Sequence, residues 1–268
     1  MSVKKIILIT GEHQPHIARA TSLTQPGANS GIGYDTSYAL ANASPSNHVI
    51  MGCRNSTRGA KALEDLQARN PAGTLSLVQL DVSDDASIRS AVDQISTDFG
   101  VLDVLVNNAG IVITEPRERR DEMLTTINTN TVGPYVLTEQ LVPLLQKSQD
   151  ARIINVTSRL GSISERANPN SQTYSTTQFD AYRVSKAALN MATVCMYASY
   201  KTWGAKVWAF CPGHVVTNLT GEEGRKWRIA KGLESSETSA QGILEIVQGQ
   251  RDDEVGLFLQ RRGLRADW

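Results

Sequence analysis

The sequence predicts an α/β protein with a single doubly wound parallel sheet, helices on both faces and one domain spanning residues 1–268. Three observations predict it. Short runs rich in Val, Ile and Leu recur along the chain, and amphipathic segments lie between them. The residues that suit neither kind of element, several glycines and asparagines and a serine, fall just after the runs. Near-continuous apolar strands alternating with helices belong to a sheet buried on both faces. In such sheets ligands sit at the carboxyl ends of the strands.

Lys5 to Thr10 is the first strand. Residues 12 to 27 break the alternation and read as a loop, after which Gly27-Ala28-Asn29-Ser30-Gly31-Ile32-Gly33 opens a helix over Gly31 to Asn42. His48 to Cys53 is the second strand and Thr57 to Arg69 the second helix. Leu75 to Leu80 follows, then a helix over Asp84 to Phe99 whose start is marked by Ser83-Asp84-Asp85, side chains suited to a first turn's free amides. Val101 to Val106 is the fourth strand, and Asp121 to Lys147 reads as one long helix. Arg152 to Thr157 is the fifth strand, followed by a second irregular stretch, 161 to 178, rich in Ser, Asn, Gln and Thr. A helix over Asp180 to Trp203, a strand at Lys206 to Cys211 and a helix over Ser239 to Gln248 complete the pattern.

Bulk properties narrow the function. Lys plus Arg (27) equals Asp plus Glu (27), so no global field favours nucleic acid or an anionic membrane as partner. Ile6-Ile7-Leu8-Ile9 is too short for a signal peptide, and no stretch approaches the roughly 20 apolar residues of a spanning helix. A cytoplasmic protein is expected. Cys53, Cys195 and Cys211 have no paired spacing, which predicts reduced, buried thiols and no metal site.

Five places carry chemistry. Gly27, Ser30, Gly31, Ile32 and Gly33 can turn the backbone tightly against a pyrophosphate at a helix N-terminus, although glycines alone also make ordinary turns. After the second strand comes Cys53-Arg54-Asn55. An acidic residue there would accept from the ribose of NAD, whereas Arg54 can pair with the 2′-phosphate of NADP, so NADP (as NADPH) is favoured; Arg54 and Arg58 as solvated charges is the other reading. Tyr182 and Lys186 lie four apart on one helix and address one pocket, where a cation would favour the phenolate. Ser158 closes the fifth strand, where a hydroxyl can bond a substrate carbonyl or simply cap a turn. Asn130 stands inside a helix, where Asn is a poor former.

In order and strand position these residues resemble the short-chain dehydrogenase/reductase family, whose fold is of the Rossmann type. The resemblance rests on the glycine motif, Asp81-Val82, Asn107-Asn108-Ala109-Gly110, Asn130 before Thr131-Val132-Gly133, Ser158, Tyr182 with Lys186, and Pro212-Gly213-His214-Val215-Val216-Thr217. It implies that Tyr182 exchanges a proton with the carbonyl or alcohol oxygen, that Ser158 orients that oxygen, and that Lys186 lowers the Tyr182 pKa and binds the nicotinamide ribose. Asn130 would hold a water linking Lys186 to solvent. The cofactor would further meet Ile32 and neighbouring amides at the pyrophosphate, Asp81 near the adenine, Asn107 on the adenosine side, and Val215 and Thr217 at the carboxamide. A small carbonyl or alcohol is the implied substrate, for a carbonyl-reductase-like fungal ketoreductase of secondary metabolism. Homo-oligomerisation through the 121–147 and 180–203 helices is implied too.

The sequence departs from the family pattern twice. Residues 12 to 27 separate Ile9-Thr10-Gly11 from Ala28-Asn29-Ser30-Gly31-Ile32-Gly33, and their excision restores an uninterrupted motif. Gly11-Glu12, Leu23-Thr24 and Pro26-Gly27 can be encoded with splice donor, branch and acceptor sequences, so the segment reads as a translated intron or as an extruded loop. As a loop it costs little to close but can misplace the pyrophosphate amides, which gives an alternative reading as a cofactor-impaired or non-catalytic nucleotide-binding protein. The second departure is the long interval from Ser158 to Tyr182, which makes Arg159, Arg166 and Tyr174 candidates for substrate contacts or a lid, or else a plain solvent-facing loop. Trp227 reads as an apolar cover or as a surface-helix residue packed into the core.

Overall fold

In the computed structural model, which describes residues 4–11, 31–171, 173–175 and 178–268, the strands are β1 (Lys5–Thr10), β2 (Asn47–Cys53), β3 (Thr74–Gln79), β4 (Val104–Asn107), β5 (Arg152–Val156), β6 (Lys206–Cys211) and β7 (Phe258–Gln260). They pair side by side in the order β3-β2-β1-β4-β5-β6-β7, every pair parallel. The helices are α1 (Ile32–Asn42), α2 (Ser56–Gln67), α3 (Asp85–Phe99), α4 (Arg119–Ile127), α5 (Gly133–Leu145), α6 (Ile163–Ala167), α7 (Asp180–Tyr200), α8 (Gly221–Ala230) and α9 (Glu237–Val247). The doubly wound sheet read from the sequence is thus present. Its strand order reverses between β1 and β4, which opens a crevice at their carboxyl ends.

Successive strand side chains point to opposite faces, so each strand feeds two cores. Leu8, Ile50, Leu105, Ile153 and Val207 pack with α3, α5 and Met196 of α7 on one face. Ile7, Ile9, Val106, Ile154 and Trp208 pack with α1, α2 and α9 on the other. Because both faces are buried, the strands read as unbroken apolar runs.

Several boundaries differ from the sequence reading for identifiable reasons. β4 begins later than expected because Leu102 donates to Leu144 O, and the Asp103 carboxylate takes the Ile6 N–H that a ladder carbonyl would take. The expected long helix is broken into α4, a π-helical turn at Asn128–Val132, and α5. Pro134 has no N–H, so the carbonyl of Asn130 loses its α-helical donor. A Cβ on Gly133 would lie 2.2 Å from Val82 O, so the restarted helix runs hard against the turn after β3. The 161–178 stretch contains α6, α8 answers to the surface helix that was one of two readings for the Trp227 segment, and β7 has no counterpart in the sequence reading. Cys211 is buried and Cys53 half-buried, but Cys195 is exposed on α7, against expectation; all three are free thiols. Among the described residues no helix is long and apolar enough to cross a membrane.

Candidate active site

The crevice is built by contacts between strand ends. Thr10 Oγ1, closing β1, accepts from the Asn108 and Ala109 amides at 2.9 and 2.8 Å, and Asn108 Nδ2 donates back to Thr10 O at 2.8 Å. A Cβ on Gly33 would lie 2.5 Å from that Asn108 amide nitrogen, so glycine lets the first turn of α1 close on the β1–β4 junction. Gly31, just before α1, has φ 154°, a conformation open to glycine. Gly27 and Ser30, and the whole of 12–27, lie outside the described residues. The start of α1 nonetheless stands at the switch point, where helix amides can receive a pyrophosphate.

On the neighbouring strands Ser158 follows β5 in extended backbone and caps a short 3₁₀ turn, its hydroxyl accepting from Leu160 N at 3.2 Å. Tyr182 lies half-buried on the first turn of α7, and Lys186 follows one turn later, 3% exposed. Lys186 Nζ donates to Val156 O at 2.8 Å and sits 5.7 Å from the centroid of the Tyr182 ring. Burial pushes the Lys186 ammonium down to about 8, against a weaker opposing pull from Cys211. A Cβ on Gly110 would stand 3.5 Å from Lys186 Nζ and 3.4 Å from Asn130 Oδ1, so the glycine keeps one side of the ammonium uncovered.

Asn130 is fully buried, and its amide is spent on structure. Oδ1 accepts from Ile111 N at 2.8 Å, while Nδ2 donates to Ile111 O at 2.9 Å and to Ser185 Oγ at 3.0 Å. A water held at this position would therefore bind the backbone carbonyl that Pro134 leaves without its α-helical donor.

Two of the expected cofactor contacts turn their side chains away from the crevice. The Asn107 side chain points into the sheet, donating to Thr138 Oγ1 at 3.0 Å and Asn155 Oδ1 at 2.8 Å, and leaves only its backbone to face a ligand. Val215 is buried in the same core cluster as Phe210 and Ile243, so its side chain is spent on the core and its main chain is what it offers a ligand. Thr217 is buried, its hydroxyl accepting from Leu219 N at 3.4 Å. Asp81 orders the turn after β3, its Oδ1 accepting from Ser83 N and Ser83 Oγ at 2.9 and 2.6 Å. Arg54 lies half-buried at the bend after β2, next to Asn55, which caps α2.

These residues fit a dinucleotide. Glycines clear the junction beneath α1 and one side of Lys186, and among the described residues Val156 O is the one acceptor bonded to that buried ammonium. Two of its three donors thus remain for hydroxyls. Sequence reasoning missed the Thr10–Asn108 brace and the Asn130–Ser185 bond. Thr10 and Asn108 stood inside recognised motifs, but only packing shows that they meet. Trp227 is 52% exposed and stacks on His214 with centroids 5.8 Å apart, so it is not a core residue. Arg159 is tied to Glu165 by two bonds of 2.7 and 2.9 Å, and Arg166 donates to Tyr174 O at 2.6 Å, so both arginines hold their own segment together.

Fold and comparisons together place the chain among oxidoreductases built on a dinucleotide-binding sheet. Within that class it belongs to the short chain dehydrogenase family, which matches residues 26–227 and so takes up the chain beyond most of the 12–27 segment. It is 30% identical over 98% of its length to the short-chain dehydrogenase/reductase tropE of Talaromyces stipitatus, covering 97% of that protein. It is 31% identical over 74% of its length to a (+)-neomenthol dehydrogenase of Arabidopsis thaliana, covering 84% of it. Among solved structures, the NADPH-bound carbonyl reductase from chicken fatty liver is similar over the whole of both chains, with a TM-score of 0.76 and 28% identity.

Proposed function

We propose that this protein is an NADPH-dependent ketoreductase, or in reverse a secondary alcohol dehydrogenase, acting on a small carbonyl or alcohol. The observation that carries the reading is Lys186, an ammonium buried one turn from Tyr182 and left uncovered by Gly110. A bound nicotinamide dinucleotide would supply or take up the hydride. Tyr182 Oη gives its proton to the carbonyl oxygen in reduction and takes one from the alcohol in oxidation. Ser158 Oγ bonds that oxygen and holds it toward Tyr182. Lys186 favours the charged form of Tyr182 and uses its remaining donors on ribose hydroxyls, and the Asn130 carbonyl holds a water that returns protons to it.

Arg54 is proposed to pair with the 2′-phosphate, giving the preference for NADPH, and the start of α1 to hold the pyrophosphate. Asp81 and the main chain of Asn107 would lie on the adenosine side, with Thr217 and the Val215 main chain at the carboxamide. The similarity to an NADPH-bound carbonyl reductase supports the cofactor choice. A cytoplasmic role in secondary metabolism and a homo-oligomer are parts of the same proposal. Leu124 on α4 and Met191 on α7, both more than 60% exposed, support the oligomer.

Tyr182→Phe tests the chemistry. NADPH oxidation with a panel of ketones should fall by about 10²- to 10⁴-fold in kcat, while NADPH binding by fluorescence titration stays at the wild-type value. Turnover by Tyr182→Phe near the wild-type rate would remove Tyr182 from the reaction. The second reading, a cofactor-impaired protein, is favoured by the interruption between β1 and α1; it predicts NADPH binding only after residues 12–27 are deleted.

A further inference from the structure

We propose that Trp268 is a positioning residue: it clasps the segment that follows Ser158 and so fixes the wall against which the carbonyl substrate lies. The proposal rests on the role assigned above to Ser158.

The clasp begins at the free edge of the sheet. After β7 the chain reverses through Arg262 and Gly263, both with positive φ, and runs back along the strand. Gln260 N donates to Leu264 O and Ala266 N to Phe258 O, at 2.8 and 2.9 Å, which fixes the register of the returning chain. Its end reaches over the edge. The Trp268 ring stacks on Phe258 with centroids 5.3 Å apart, next to Ala209 and Cys211 of β6.

From that anchor the Trp268 carbonyl accepts twice from Ser164, from its amide at 3.0 Å and its hydroxyl at 2.8 Å. Ser164 lies within α6, whose Glu165 forms the two-bond ion pair with Arg159, the residue after Ser158. Arg159 N in turn donates to Cys211 Sγ at 3.3 Å. On the opposite side Gly161 touches α7 at Lys186, where a Cβ would come within 2.5 Å of the Lys186 carbonyl carbon. The segment from Ser158 to α6 is therefore held between α7 on one side and Trp268 on the other. Releasing one side leaves Ser158 attached to β5 but frees the wall beside it.

The test compares the full chain with Trp268→Ala, Trp268→Phe, Ser164→Ala and a chain ending at Asp267, using a ketone that the wild type reduces. Loss of the ring anchor on Phe258 in Trp268→Ala, or of both hydrogen bonds in the shortened chain, should raise KM for the ketone about two- to tenfold, and the loss of one bond in Ser164→Ala should raise it less. The expected kcat stays within about twofold, NADPH affinity is unchanged, and Trp268→Phe restores KM by keeping a ring on Phe258. Hydrogen exchange supplies a readout independent of turnover: amides of residues 159–167 should exchange faster in Trp268→Ala while those of α7 keep their protection. Unchanged KM and unchanged exchange would overturn the clasp, as would a parallel loss of NADPH affinity, which marks general loosening. If the wild type reduces no ketone, the functional reading falls, and the exchange comparison still decides the clasp.

Discussion

Lys186 is the residue at which the proposed function and stability pull in opposite directions, and Lys186→Met measures the stability side of the pull. Burial holds its ammonium at about 8 in the folded chain, against 10.5 when solvated. At pH 7 both folded and unfolded chains carry the proton, so the fold bears the whole cost of burying the charge, roughly 3 kcal/mol. Between the folded and unfolded values the unfolded chain binds more protons, so the contribution of this group to stability improves as pH rises from about 8 towards 10.5. Below about 8 the cost stays constant. Methionine fills much of the same volume without a charge and also gives up the bond to Val156 O, a loss of about 1 kcal/mol. The expected result is that Lys186→Met is the more stable protein at pH 7, by about 2 kcal/mol, and loses that advantage by pH 10. Equilibrium urea unfolding of both chains at the two pH values gives the answer. Groups common to the two chains cancel in the difference, and equal m-values show that the unfolded states match. A difference that stays the same from pH 7 to pH 10 would refute the idea that this ammonium is desolvated in the folded protein.

Three further outcomes are expected. Arg54→Asp should weaken NADPH binding about 10- to 100-fold, the effect of losing a charge-assisted pair, and improve NADH binding, both read by fluorescence titration; an unchanged ratio of the two affinities removes Arg54 from the phosphate. Asn130→Ala should cost about 3 kcal/mol and lower Tm by roughly 6 to 12 °C, because it strands the Ile111 amide and carbonyl and takes a donor from the Ser185 hydroxyl, which keeps its own bond to Tyr182 O, and calorimetry would show it. Deleting residues 12–27 should leave NADPH binding at least as tight as in the full chain, and a transcript in which every mature message keeps those codons would discard the intron reading.

The strands were legible because burial on both faces makes them continuous apolar runs, and Tyr182 with Lys186 because the helical repeat stacks residues four apart. β7 was missed because its three residues, Phe258 to Gln260, are too few for any period to show. The break between α4 and α5 was encoded in Pro134, whose missing N–H affects a carbonyl one turn earlier; reading 121–147 by its apolar content passed over that signal. Asn107 and Val215 stand where the family motifs place them, yet motif position does not say which way a side chain points. For Asn107 that is decided by Thr138 and Asn155, partners distant in sequence. The Trp268–Ser164 link spans more than a hundred residues, and no local pattern announces it.

The inward turn of Asn107 has a consequence of its own. In a sheet of Val, Ile and Leu strands, sliding one strand by two residues would keep the same faces buried and change little in hydrophobic contact. Asn107 and Asn155 are opposite each other in β4 and β5, amide to amide, and Asn155 passes the chain of bonds to Thr193 on α7. Any slip would bury these amides without partners, at a cost of several kcal/mol. The pair works as an index mark. It fixes the register from which the chain runs three residues on to Gly110 in one strand and to Ser158 in the next, and ties the helix that carries Tyr182 to both strands. A strand exchanged between relatives would have to carry its asparagine with it.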